Sequence, residues 1–212
     1  MRYLKLTIFI CLILSLFGCA LFEKGEAVED PTPVENGHTD EEEEQEEIKA
    51  DEFALSVATL LRDKDFSTLS EVVHPVKGVR FTPYAYIREE SDQTFTGEQI
   101  KTIWQDQTVY TWGEFDGSGD PINLTFQDYY EKFVYDVDFA QPEEVSTNKR
   151  IGQGNSLDNA QEFYPDAIVI EFHFSGIDPK YEGLDWRSLR VVVEQLDGKW
   201  YVVGIIHDQW TI

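Results

Sequence analysis

The chain has 212 residues, 41 Asp and Glu against 17 Lys and Arg, and a formal net charge of −24. That length fits one ordinary domain with appendages, and 42% hydrophobic with 14% aromatic residues suffices for a core. The acidity excludes general nucleic-acid binding, which needs a Lys/Arg-rich face, and speaks against electrostatic docking on anionic lipid. Both cysteines, Cys11 and Cys19, lie at the N-terminus, so a Cys-based zinc site or Cys nucleophile in the folded part is excluded.

Residues 1–18 read as an export signal. Arg2 and Lys5 precede an apolar run from Leu6 to Phe17, shorter than the ~20 residues of a membrane-spanning helix. The run ends in Leu16-Phe17-Gly18-Cys19, which resembles the lipobox of bacterial lipoproteins. That likeness implies a signal peptide removed before Cys19, which then carries diacylglycerol and, with a further acyl chain such as palmitate, anchors stably. The expected location is the extracytoplasmic face of the cell membrane. Residues 19–50 are then the lipidated cysteine and an acidic tether, with 12 acids against two lysines after Cys19. Such a segment buries too little apolar surface to offset its chain entropy and is expected to be disordered. Its stretch from Asp40 runs toward the first helix.

Residues 51–212 form the expected globular domain. Phe53, Leu55, Val57, Leu60 and Leu61 sit near helical spacing, predicting a helix over 52–62 with Asp51 as N-cap. Phe66, Leu69, Val72 and Val73 predict a second helix, stopped before His74-Pro75, where His74 reads as a helix-end residue. Val79 to Ile87 reads as a strand that Pro83 demotes to an edge or bulge. Thr96-Gly97-Glu98-Gln99 and Thr125-Phe126-Gln127-Asp128 have capping form, each opening a helix. Between them, Thr108 to Phe115 is strand-like and residues 116–121 are a loop. Residues 141–165 read as a long polar loop, and one of that length is usually functional or mobile.

Residues 167–174 alternate, with Ile168, Ile170, Phe172 and Phe174 on one face and Val169, Glu171 and His173 on the other. Two further strands, 188–196 and 199–206, meet at Asp197-Gly198, a type I′ hairpin signal. Counted back from that turn, Glu194 faces Tyr201, Val192 faces Val203, Arg190 faces Ile205 and Ser188 faces His207. Leu189, Val191, Val193, Val202 and Ile206 then share one face with Trp200, and Arg190, Glu194, Tyr201 and His207 share the other. Opening helices followed by antiparallel strands indicate an α+β fold.

Four segments resemble an uncharacterised bacterial lipoprotein family: residues 81–86 (Phe-Thr-Pro-Tyr-Ala-Tyr), 112–119 (Trp-Gly-Glu-Phe-Asp-Gly-Ser-Gly), 135–139 (Tyr-Asp-Val-Asp-Phe) and 206–212 (Ile-His-Asp-Gln-Trp-Thr-Ile). The family brings no activity to transfer. The two opening helices and the closing Asp197-Gly198-Lys199-Trp200-Tyr201-Val202-Val203 look like nuclear transport factor 2-like, or ketosteroid-isomerase-like, domains. That likeness implies helices packed on a curved, cone-like antiparallel sheet.

The strand parity places Glu171 and His173 with Arg190, Glu194, Tyr201 and His207. Carboxylates and imidazoles on one concave face could do general acid–base work, which makes Glu171, His173 and His207 the candidate catalytic residues. Arg190, Glu194 and Tyr201 are candidates for ligand binding. The bland alternative is a solvated face with cross-strand Arg–Glu pairs. A zinc site would require His173 and His207 to meet with Glu171. Asp116, Ser118 and Asp120 offer the odd-position oxygens of a weak calcium loop, but Pro121 and Gln127 break the EF-hand pattern; no other cofactor is indicated. Residues 152–155 (Gly-Gln-Gly-Asn) do not make a nucleotide loop. The reading that follows is a membrane-anchored lipoprotein whose domain binds a small ligand, a wall fragment or a protein partner through the sheet face and the 116–120 and 140–165 loops. The alternative is a hydrolase or isomerase of the cell envelope.

Overall fold

A stripe of small and branched residues explains the first helix. Ala50, Ala54, Val57, Ala58 and Leu61 recur at helical spacing and are all fully buried. They lie on helix α1, Asp40–Arg62, which packs across the sheet. The computed structural model describes residues 40–211, so the expected export signal, Cys19 and the first part of the tether lie outside the described residues. Helix α1 begins at Asp40, which corrects the expected cap and also the expected extent of the disordered tether, since residues 40–50 are helical. Asp51 is inside the helix, and its carboxylate accepts from Thr147 Oγ1 at 2.6 Å. The buried face also differs from the expected one, since Leu55 is exposed while the alanines face inward. Small side chains let the helix approach the strands closely.

Helix α2, Phe66–Glu71, is capped by Asp65, whose side chain accepts from Thr68 N–H. Strand β1, Val79–Thr82, ends just before Pro83 and pairs with β2, Gln93–Phe95. Helix α3, Gly97–Thr102, carries the complete capping box between Thr96 and Gln99. Strands β3, Tyr110–Glu114, and β4, Pro121–Leu124, form a small separate sheet across the 116–120 loop. Helix α4, Phe126–Phe133, starts from Thr125, whose hydroxyl accepts from Asp128 N–H. The expected loop at 141–165 contains strand β5, Glu144–Thr147, and a single helical turn, α5, Ala160–Phe163. Strands β6, Ile168–Phe174, β7, Arg187–Leu196, and β8, Lys199–Gln209, complete the chain.

The main sheet has the order β2-β1-β8-β7-β6-β5, with β1 parallel to β8 and every other pair antiparallel. The architecture is α+β. The sheet is mixed where an antiparallel one was expected, because alternation within a strand says nothing about the direction of a neighbour distant in sequence. One face carries the main core. Ile170, Phe172, Leu189, Val191, Val193, Val202 and Ile205 meet α1 and an aromatic cluster from α4 and β3. In that cluster Trp112 stacks on Tyr129 with ring centroids 3.8 Å apart. Among the described residues, no helix is long and apolar enough to cross a membrane.

The β7–β8 hairpin keeps the expected register next to its turn: Leu196 opposes Lys199 and Glu194 opposes Tyr201. The register then shifts. Val193 opposes Val202 but Val192 opposes Gly204, so Val203 is the extra residue of a β-bulge. Beyond it every residue of β8 changes face relative to the plain count. Ile206 therefore joins Val169, Val192 and Val203 in a second apolar cluster, which corrects its expected place beside Val191. Gly204 sits tightly beside the bulge: a Cβ there would come within 3.1 Å of Val192 and 3.2 Å of the Tyr164 hydroxyl, and both would have to give way by a few tenths of an ångström.

Candidate functional site

The bulge decides which C-terminal side chains join Glu171. Glu171 opposes Arg190 and His173 opposes Ser188, so these four share the second face of the sheet. On β8 the residue opposite Ser188 is Asp208, while His207 opposes Leu189. His207 thus lies on the other side of the sheet from Glu171 and His173. This corrects both the expected three-residue cluster and the His173–His207 metal pair. His207 Nε2 is 3.2 Å from Asp136 Oδ2, which also accepts from Arg187 Nε at 2.7 Å. Burial pushes the Asp136 carboxyl up, but His207 and Arg187 beside it hold it below the usual carboxylate range.

Glu171 is fully buried, and its carboxylate accepts three hydrogen bonds. Oε1 accepts from the Ser188 hydroxyl at 2.5 Å and from Gly152 N–H at 2.9 Å, and Oε2 accepts from Ile151 N–H at 2.8 Å. With its proton given to Glu171, Ser188 Oγ accepts from His173 Nδ1 at 2.8 Å. Both loop N–H groups come from residues 148–159, which fold over this face as a cover. Trp186 seals the edge, its ring 5.9 Å from that of His173. The glycine at 152 has a steric reason: a Cβ there would lie 2.4 Å from a Trp186 ring carbon.

A second polar group holds the far end of the cover. Arg190 is 1% exposed; it donates from Nη1 to Asp158 at 2.7 Å and from Nη2 to the Ala85 carbonyl at 3.1 Å. Arg150, on the cover, donates from Nε to Asp208 at 2.9 Å and from Nη1 to the Ser156 carbonyl at 2.8 Å. Burial pushes Asp208 up to about 6 against the pull of Arg190 and Arg150. Burial also pushes Asp158 up, but Arg190 outweighs it and the group lies below the usual range. Arg190 is therefore committed to internal partners. Glu194 takes Lys77 Nζ at 2.6 Å, and Tyr201 packs edge-on to His74 at 5.7 Å. His74 caps its own turn, Nδ1 accepting from Val76 and Lys77 N–H.

Open space lies beside this network. A cleft of about 550 Å³ is bounded by residues 84–88, the loop at 114–119, Ser156 and Leu157 of the cover, and Thr211. Sequence reasoning named both loops but none of Tyr84, Tyr86 and Arg88. These residues sit in the family-like segment at 81–86 and directly after it, which was the available signal. Tyr84 Oη accepts from Asp116 N–H at 3.2 Å and ties the two walls together. The loop at 116–120 turns through Gly117 and Gly119, both at positive φ, a region that favours glycine. Asp116, Ser118 and Asp120 are all exposed there, and Ser118 Oγ accepts from Asp120 N–H at 3.2 Å. Among the described residues, no group of three or more His, Cys, Asp and Glu side chains could hold a metal ion. On the opposite wall Ser156 Oγ and Thr211 Oγ1 are 3.2 Å apart. Arg150 therefore connects the buried Asp208 directly to the cleft wall.

No protein-family model and no curated protein matches this chain. Among solved structures it is similar to a Xanthomonas campestris protein described as a candidate calcium/calmodulin dependent protein kinase II association domain. The identity is 15%, over 74% of this chain and 81% of that one, with a TM-score of 0.27. An overlap that low carries no argument about this chain.

Proposed function

We propose that this chain is a membrane-anchored extracytoplasmic lipoprotein whose domain binds a small ligand in the cleft between residues 84–88, 114–119 and 156–157. The observation that carries the reading is the cleft itself. It falls within the ~300–1,000 Å³ range of small-molecule sites and mixes aromatic walls with a few polar groups. The apolar run ending in Gly18-Cys19 supports the anchor. The alternative, acid–base chemistry through Glu171, His173 and His207, has less support. Glu171 and His173 are enclosed beneath the cover, and His207 is on the other face.

The cleft is tested by NMR titration of the domain with fragment-sized phenols and alcohols. Shifts concentrated at Tyr86, Phe115 and Leu157 are expected. Shifts scattered over the surface, or gathered at Glu171 and His173, would overturn the proposal.

A further inference from the structure

We infer that the ligand of this cleft is a neutral saccharide; the inference rests on the proposed binding role. Three properties of the lining point the same way. The first is charge. The lining includes two carboxylates, Glu114 and Asp116, and the cation Arg88, with Lys132 against the Phe115 ring, in a chain of net charge −24. A phosphorylated or polycarboxylate ligand would meet repulsion both locally and at long range. The second is the pattern of polar groups. A carboxylate and a guanidinium are planar and two-pronged, matching pairs of adjacent hydroxyls, and the hydroxyls of Ser118, Ser156 and Thr211 add donors that also accept. Such a lining recognises many hydroxyls at once and no strong charge.

The third is the apolar surface. Tyr86 is exposed at the cleft, Phe115 and Tyr84 are half-buried in it, and Leu157 is 74% exposed on the facing wall. Lys132 Nζ lies 4.6 Å from the centre of the half-buried Phe115 ring, while the Arg88 guanidinium stands farther off, 6.0 Å from the centre of the exposed Tyr86 ring, so Tyr86 is the more accessible ring for a ligand and Arg88 lies beside it. A pyranose has a flat C–H face that packs on an aromatic ring and an equatorial rim of hydroxyls. A purely apolar ligand seated over Arg88 and Glu114 would displace their water without replacing its hydrogen bonds. The openness of the cleft toward solvent also suits an internal unit of a longer glycan, whose neighbours must leave the site on both sides.

The experiment is calorimetric and NMR titration of the domain with chitotriose and maltotriose, with a glycyl tripeptide and glucose 6-phosphate as comparisons. At least one trisaccharide should bind at millimolar concentration with shifts at Tyr86 and Phe115. Tyr86→Ala should weaken binding by about tenfold, the range of a lost aromatic contact, while Tyr86→Phe retains it. Tyr86 is exposed, so both variants should fold, and an unchanged melting curve checks this. Failure of both saccharides, preference for the phosphate or the peptide, or equal binding by Tyr86→Ala would overturn the inference. Failure of the saccharides while phenols and alcohols still shift the cleft would leave the binding site standing and remove only its ligand class.

Discussion

Asp208 shows how much a single position depends on its surroundings. In the sequence it follows a histidine, and adjacent strand residues point to opposite faces. That rule holds here, but the rule alone does not say which of the two joins Glu171. The outcome has a consequence for pH. Burial raises Asp208 to about 6, and it raises Asp92 to about 6 as well, while the unfolded chain keeps the ordinary value near 3.8. The folded state therefore binds these protons more tightly, and their contribution to stability falls as pH rises from about 4 through about 6. Asp136 and Asp158 work in the opposite direction: lowered in the fold, they contribute stability above the usual carboxylate range that acid removes. Asp208→Asn should flatten the loss of stability between pH 4.5 and 6.5. The check is urea midpoints across that window, and a variant profile running parallel to wild type would contradict the assignment.

At the scale of elements, the legible features were those encoded within a few residues. Thr96 with Gln99, Thr125 with Asp128, and the Asp197-Gly198 turn all form as their local chemistry requires. The extra residue at Val203 was illegible, because Val202-Val203-Gly204-Ile205 reads as an uninterrupted apolar strand. The bulge shows only in the pairing with β7, where Val193 opposes Val202 but Val192 opposes Gly204. The cover was equally hidden. Residues 148–159 are polar and irregular in sequence, and their role depends on partners such as Asp208, 58 positions away from Arg150. Gly152→Ala tests the fit of that cover. Its Cβ would collide with the Trp186 ring, so destabilisation of about 1–3 kcal/mol is expected, as for other overpacked sites. Denaturant midpoints and the Trp186 indole NMR signal provide the check. Unchanged values for both would mean that the cover is not seated on Trp186.

For the whole molecule, charge and address are the global properties. The expected signal carries +2, residues 20–50 carry −10 and residues 51–212 carry −16. Cleavage before Cys19 would leave an acidic domain on an acidic leash, held by lipid yet repelled by an anionic surface. Cys19→Ala should move the protein from the membrane to the soluble fraction; unchanged fractionation would rule out the anchor. The acidity, the α+β class and most helix starts follow from sequence alone, because they depend on composition or on neighbours within a turn. The face of β8 that meets Glu171, the burial of Glu171 and His173 away from His207 and the position of the cleft were decided only by tertiary structure. A one-residue bulge reverses every side chain beyond it, and a loop becomes a lid only where distant strands present buried charges for it to satisfy.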